Sequence, residues 1–469
     1  MVYLLHHTAL GDQPGTPINT STTEPQDTSF TLLYGLDERP PALKALLAAS
    51  AHLLAIVASI ATAPLLIARG LGLDPATTTY VIGSALIVSG LATFVQVYRI
   101  GPVGSGLLSI QGTSFSFIGV LMYAGAMLAD NGLDAHHTIG LLLGSASLGA
   151  LCTVITGYYV ERLRNLVTLN VTGIAIFLLG LSLVGSAYQN FNFTLSQASS
   201  SGQSTGVIYL QAAVVVATIA ICATRSNPWL RLSSISAGLI AGLTTAWITG
   251  SLSLVPALSQ GLITLNLIPF PLDFDLGIFL VLLPIFFVTM TEAVGDLTAT
   301  SMLSKQPVSG PAYWRRIRGG VMADGINSVL AALVGTFPNT TFSQNNGVIQ
   351  LTAVASRYVG FIVAGFLVLL GSLPAFTHIF QLLPGGVLHS ATGLLFGMIA
   401  WAGLRILRMQ ENRRRPMQML VVCTAAAFAL TFVPKLVELP AYLALLLSFP
   451  VASGAILALM WEAVHVLRR

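Results

Sequence analysis

Charge is what this chain has least of. Only 8% of its 469 residues are Asp, Glu, Lys or Arg, while 54% are apolar; an ordinary soluble domain carries about 25% charged residues. So few charges cannot solvate the surface of a 49.3 kDa soluble monomer. A cytosolic enzyme, a disulfide scaffold, a coiled coil and a disordered chain are excluded. Cysteine is also sparse: Cys152, Cys222 and Cys423 stand far apart, each in an apolar run. That pattern indicates neither a disulfide framework nor a zinc site, so no metal or cofactor is expected. No basic patch with interleaved aromatics points to nucleic acid. The opening MVYLLHHTAL lacks the basic region and apolar core of a cleaved signal peptide. What remains is an all-α polytopic membrane protein with the lipid bilayer as its solvent.

Apolar stretches of about 20 residues, the length that spans a bilayer, recur along the chain. They fall near 43–68, 77–98, 104–128, 137–160, 166–187, 207–224, 232–253, 276–300, 318–337, 341–355, 358–376, 385–404, 417–434 and 441–464. Residues 1–40, polar and rich in Thr and Pro, read as a cytoplasmic tail. Residues 188–205 read as a polar loop carrying the sequon Asn192-Phe193-Thr194. With about fourteen crossings and the tail inside, every basic residue except Arg69 and Lys435 falls on the cytoplasmic side, as the positive-inside rule demands. Both termini are then cytoplasmic. Halving this count gives a 7+7 repeat, and an odd number of segments per half makes the halves inverted.

Two segments are poor hydropathy helices. The third carries Ser109-Ile110-Gln111-Gly112-Thr113-Ser114-Phe115-Ser116-Phe117, and the tenth carries Thr340-Thr341-Phe342-Ser343-Gln344-Asn345-Asn346-Gly347. Paired interrupted segments at matching positions of two halves point to a midplane site in a secondary transporter. Half-helices starting near Thr113 and Asn345 would aim their N–H groups at a substrate between them. Ionisable residues at membrane depth are costly and mark function. Glu292, Asp296 and Asp324 are read as the acids within or at the edge of a span, Glu292 and Asp296 sharing a helical face. His52, in the first segment, is the other titratable group of interest. Glu292 can accept ring N–H donors, and the amides of Gln344 and Asn345 both donate and accept, as Gln and Asn do on an adenine edge. Phe115 offers an aromatic face. Together these suit a heterocycle, although a sugar or an amide would also fit.

The motifs TEAVGDLTATS, RIRGGVMADGINSVLA and TTFSQNNGVIQLTAVASRYVG resemble the nucleobase–ascorbate transporter family, on its bacterial xanthine and uric acid permease branch. The family signature runs Gln344-Asn345-Asn346-Gly347, then Thr352, with Ala353 where the family has Arg, Lys or Gly. LLSIQGTSFSF and PLLIARGLGL are similar to further family segments, and Ala51 stands before His52 where many members have Gln.

The resemblance implies two inverted seven-helix repeats with short β-strands in segments 3 and 10. A core domain (41–162 and 276–378) would move against a gate domain (163–275 and 379–465), commonly in a homodimer. It implies that Glu292 and Gln344 bind the purine, that Asn345 supports the motif, that Asp324 couples the proton, and that Ser114 sets specificity. Asp296 and His52 fall among the coupling and conformational groups. The expected function is import of purine bases, with uric acid ahead and xanthine close behind, across the cell membrane by proton symport. Another nucleobase, or an anion on the same fold, is the alternative; an enzyme is not expected.

Overall fold

The computed structural model describes residues 31–163, 168–200, 204–252, 261–408, 410 and 414–467. Most of the expected tail (1–30), and Arg164, Arg413, Arg468 and Arg469 of the inside charges, lie outside the described residues. The first half holds α1 (Ala42–Gly70), α2 (Pro75–Tyr98), β1 (Gln111–Thr113), α3 (Ile118–Asp130), α4 (Ala135–Tyr158), α5 (Leu169–Ser200), α6 (Thr205–Thr224), α7 (Pro228–Leu232) and α8 (Ser234–Ile248). The second holds α9 (Leu276–Leu303), α10 (Gly310–Leu333), β2 (Asn339–Thr341), α11 (Gln344–Thr352), α12 (Arg357–Ser372), α13 (Pro374–Gln381), α14 (Gly385–Arg408), α15 (Arg414–Leu430), α16 (Val433–Leu436), α17 (Ala441–Ser448) and α18 (Pro450–Leu467).

Local signals set the helix starts. Asp74 accepts from Ala76 N–H and Thr77 N–H with Pro75 in the first turn, Asp134 caps α4 in the same way, and Asp275 caps α9. Each cap satisfies backbone donors that the helix itself leaves free. Among the described residues, seven helices are long and apolar enough to cross a membrane, or eight if the pair α12 and α13, bent by 76°, counts as one span. Shorter apolar helices, including Ser234–Ile248 and Pro450–His465, accompany them.

Helix pairs approach closely where one partner has no side chain. A Cβ on Gly180 of α5 would lie 2.2 Å from Ala400 N of α14, and one on Gly403 would lie 2.4 Å from Phe177 N. Lipid is as apolar as leucine, so such close packing, and not the exclusion of water, holds these helices together. The most extensive helix packing joins α5 with α14, α2 with α12, and α4 with α10. Gly325, next to Asp324, lets α10 reach α4, since its Cβ would meet Ala150 O at 2.9 Å.

Several boundaries differ from expectation. Residues 188–200 continue α5 as helix instead of forming a loop. Thr194 donates to Asn190 O, Ser196 to Phe193 O and Ser199 to Leu195 O. Hydroxyls that bond the preceding turn of their own helix make a polar stretch compatible with helix. The half-helix expected near Thr113 begins at Ile118, after a 3-10 turn over Phe115–Phe117. The stretch expected at 441–464 is broken at Phe449, where Pro450 has no N–H to continue the ladder.

Candidate functional site

The two interrupted segments meet. β1 pairs antiparallel with β2, in the register Gln111 with Thr341, Gly112 with Thr340, and Thr113 with Asn339. Irregular backbone inside a bilayer needs protein partners in place of water, and here it has them. Phe342 N–H donates to Ile110 O (3.0 Å) and Ser114 N–H to Pro338 O (2.9 Å), which extends the pairing at both ends. Gln111 N–H donates to Thr93 Oγ1 of α2 (3.0 Å), and Asn339 N–H to Ser328 Oγ of α10 (3.0 Å). Each strand runs into a helix start, the 3-10 turn on one side and α11 on the other.

Side chains around this crossing form a connected set. Ser116, in the 3-10 turn, donates its hydroxyl to Glu292 Oε2 of α9 at 3.2 Å. Ser114 is buried, and its Oγ accepts Ser116 N–H at 3.2 Å, so this hydroxyl shapes the turn that presents Ser116. Phe115 lies edge-on to Phe396 of α14 and tilted against Phe342, each ring centre 6.1 Å away. Gln344 opens α11, half-buried, and its amide has no protein partner among the described residues. Asn345 is buried and donates to Leu108 O at 2.5 Å, which ties α11 to the segment leading into β1. His52 of α1 is fully buried and faces Asn345, yet neither ring nitrogen reaches a hydrogen-bond partner.

Asp296 joins the same set through Thr341 of β2, whose hydroxyl donates to Asp296 Oδ2 at 3.2 Å. Asp324 of α10 is buried beside the same strands. Its Oδ1 accepts from Gln96 Nε2 (3.1 Å), an amide that also donates to Gly320 O (3.0 Å) and accepts Ser105 N–H (2.8 Å). Gln111 and Thr340 face the Asp324 carboxyl, but no contact there reaches hydrogen-bond geometry, and Oδ2 is unpartnered. Buried polar groups left open cost about 1–3 kcal/mol each, so their concentration at one crossing marks it out. Among the described residues no group of three or more His, Cys, Asp or Glu could hold a metal.

Sequence reasoning misses Ser116, Phe342, Phe396 and Gln96, because their partners are distant in the chain. It also misses Glu462, which is 2% exposed within α18; Glu292, Asp296 and Asp324 are therefore not the only acids at membrane depth. Glu462 accepts from Thr168 Oγ1 (3.0 Å) and Asn170 Nδ2 (2.7 Å) and pairs with Arg415. It belongs to a separate cluster binding α18, α15 and the start of α5.

Helices of membrane length surrounding a paired-strand crossing lined by carboxylate, amide and aromatic groups are the build of a multi-pass membrane permease. The chain belongs to the permease family whose model, Xan_ur_permease, matches residues 43–457, and so to the nucleobase–ascorbate transporters that its motifs resemble. It is 39% identical to the xanthine permease XanP of Escherichia coli (strain K12), over 92% of this chain and 93% of that protein. It is 38% identical to the xanthine permease XanQ of the same strain, over 92% of each. A purine permease of Emericella nidulans is 31% identical, over 86% of this chain and 75% of that protein. In three dimensions the chain is similar to the transmembrane domain of the cyanobacterial bicarbonate transporter BicA, with TM-score 0.57, 13% identity, and 92% of this chain and 99% of that one covered. It is also similar to SLC26A9, with TM-score 0.57, 11% identity, and 90% and 65% covered. At such identities these neighbours speak for the fold alone, which is the 7+7 transporter fold.

Proposed function

We propose that this permease imports purine bases, xanthine first and uric acid second, across the cell membrane by proton symport. The observation that carries the reading is the joining of Glu292, through Ser116, to the turn that holds Phe115, in a chain more than a third identical to two xanthine permeases. Glu292 accepts a ring N–H, the free amide of Gln344 pairs with the carbonyl and N–H edge of the base, and Phe115 lies against the ring face. Asn345 holds the motif helix on Leu108, and Ser114 acts on selectivity by shaping the turn.

Residues 41–162 and 276–378 form the core and 163–275 and 379–465 the gate of an inverted 7+7 repeat with about fourteen crossings, in keeping with the positive-inside rule. The packing supports this division: matching helices seven spans apart turns the pair α2 and α12 into the pair α10 and α4, while α5 and α14 exchange with each other. Phe396 of α14 then meets Phe115 across the boundary, so core movement against the gate opens or closes one wall of the site. Asp324 takes up the proton, and Asp296 and His52 transmit its state through Thr341 and Asn345. Coupling needs only that proton and purine favour the same conformation. The transporter works as a homodimer in the inner or plasma membrane with both termini cytoplasmic.

An anion substrate, suggested by the bicarbonate transporter among the structural neighbours, is disfavoured by the fixed carboxylate of Glu292 at the site. Uptake of radiolabelled xanthine and uric acid, with and without a pH gradient, tests the reading. Saturable purine uptake that collapses with the gradient supports it; uptake of sulfate or bicarbonate without purine uptake overturns it.

A further inference from the structure

Residues 33–38 precede α1 and fall within the expected tail, yet they are built into the molecule as a bend, one bridge residue and a turn. The signature helix α11 ends at Ala353, which holds a left-handed conformation (φ 55°, ψ 26°). The carbonyl of Ala353 accepts both Leu33 N–H (2.8 Å) and Tyr34 N–H (3.3 Å). Ala355 N–H donates to Tyr34 O (3.0 Å) and Arg357 N–H to Leu36 O (3.0 Å), and Tyr34 and Val354 form a parallel bridge. Side chains fasten the same seam. Ser356 Oγ donates to Glu38 O (2.6 Å), Arg357 pairs with Asp37 (3.0 Å), and the Arg39 guanidinium lies 4.5 Å from the centre of the Tyr358 ring.

Leu36 gives the segment a second anchorage. It is 6% exposed and joins a buried cluster with Met290, Ala293 and Leu297 of α9 and Tyr313 and Ile317 of α10. Glu292 lies between Met290 and Ala293. One short segment therefore grips the far end of the helix that opens with Gln344 and also packs into the cluster formed by the helix that carries Glu292. A helix of nine residues is too short to hold its own geometry. Its first turn is fixed by Asn345 on Leu108 O and by Asn346, whose Oδ1 accepts from Thr300 Oγ1 at 2.7 Å. Its last turn is held by the core packing of Val348 and Ile349 and, at its end, by the bonds of residues 33 and 34 to Ala353 O.

We propose that residues 33–38 are a positioning strap for the purine site, setting α11 against α9 so that Gln344 and Glu292 hold the spacing the base requires. The proposal rests on the purine reading of that site. A strap that only covers apolar surface would change how much transporter folds. A positioning strap changes how well folded transporter binds, because small misplacements of binding groups are expensive.

The test is xanthine uptake by the purified full chain in proteoliposomes, with KM and turnover per molecule measured separately. Leu36→Ala is expected to raise KM about fivefold or more, by misplacement of binding groups, and to shift the relative inhibition by uric acid and xanthine. Leu36→Met is expected to restore KM to within about twofold, because it nearly preserves volume. Reduced yield with wild-type KM and selectivity overturns the proposal. Should Leu36→Ala not fold, Tyr34→Cys combined with Val354→Cys, oxidised to a disulfide, provides the second arm. A strap docked throughout the cycle leaves oxidised transport active with unchanged KM; loss of transport that reductant restores overturns the proposal. Wild-type liposomes that take up no purine would remove the reading of the site itself. Wild-type uptake matched by Leu36→Ala in KM and selectivity would remove the strap alone.

Discussion

Asp324→Asn separates binding from coupling. Asn keeps the shape of the side chain and can still accept the Gln96 amide at the present Oδ1 position. Gln96 keeps its other bonds to Gly320 O and Ser105 N–H. The local structure therefore survives, with a loss of about 1 kcal/mol for exchanging a bond to a charged acceptor for a neutral one. What disappears is the ability to carry a proton. A proton moved with each purine is worth about 2.3 kcal/mol per 100 mV, which supports roughly 50-fold accumulation at about 1.36 kcal/mol per decade. In membrane vesicles energised to that level, the wild type should approach this ratio. Asp324→Asn should equilibrate labelled xanthine without concentrating it, and should still exchange it against unlabelled xanthine inside. Accumulation equal to wild type would refute the assignment of coupling to Asp324. Normal membrane abundance with no exchange at all would refute the separation of this residue from binding.

Three further substitutions probe the scaffold. Glu462→Ala leaves Thr168, Asn170 and the part-exposed Arg415 without their shared acceptor, so thermal unfolding in detergent should show a loss of about 1–3 kcal/mol, with Glu462→Gln losing less. Ala353→Gly relieves a left-handed residue and should raise stability by up to about 1 kcal/mol, seen as a higher Tm with the Leu33 and Tyr34 bonds intact. Asp74→Ala removes the cap of α2 and should cost about 1 kcal/mol. The Thr77 hydroxyl and the backbone N–H groups of Thr77 and Ala76 hold the Asp74 carboxyl below the usual carboxylate range. Its contribution is therefore complete above the unfolded-state value and fades as pH falls through the lower folded-state one. The stability gap between Asp74→Ala and wild type should close in strong acid; a gap independent of pH would show that the cap is not the cause.

The membrane class and the crossing of two broken segments are legible from residues alone, because polar groups such as Gln111 and Thr341 stand in the middle of apolar runs. The acids at membrane depth are legible for the same reason, with Glu462 the exception, overlooked near the end of an apolar stretch. Partners are not legible. Ser116 reaches Glu292 and Gln96 reaches Asp324 only because the chain folds back over long separations. Pattern also misleads where polarity has a local use. The hydroxyls of 194–200 bond their own helix, and residues 33–38, within the stretch that reads as a tail, spend their backbone groups on the end of α11. Ala353 shows the reverse: its departure from the signature is plain in sequence, but its left-handed conformation is visible only in the fold.

Labelled xanthine binding and uptake by Gln344→Ala, beside wild type at matched membrane abundance, tests the central claim most directly. The free amide at the head of α11 is assigned to the base, so its removal should weaken binding by about 1–3 kcal/mol, roughly 5- to 150-fold. Uptake should fail at substrate concentrations that saturate the wild type. Wild-type affinity and uptake in Gln344→Ala would contradict the site, whatever the protein carries.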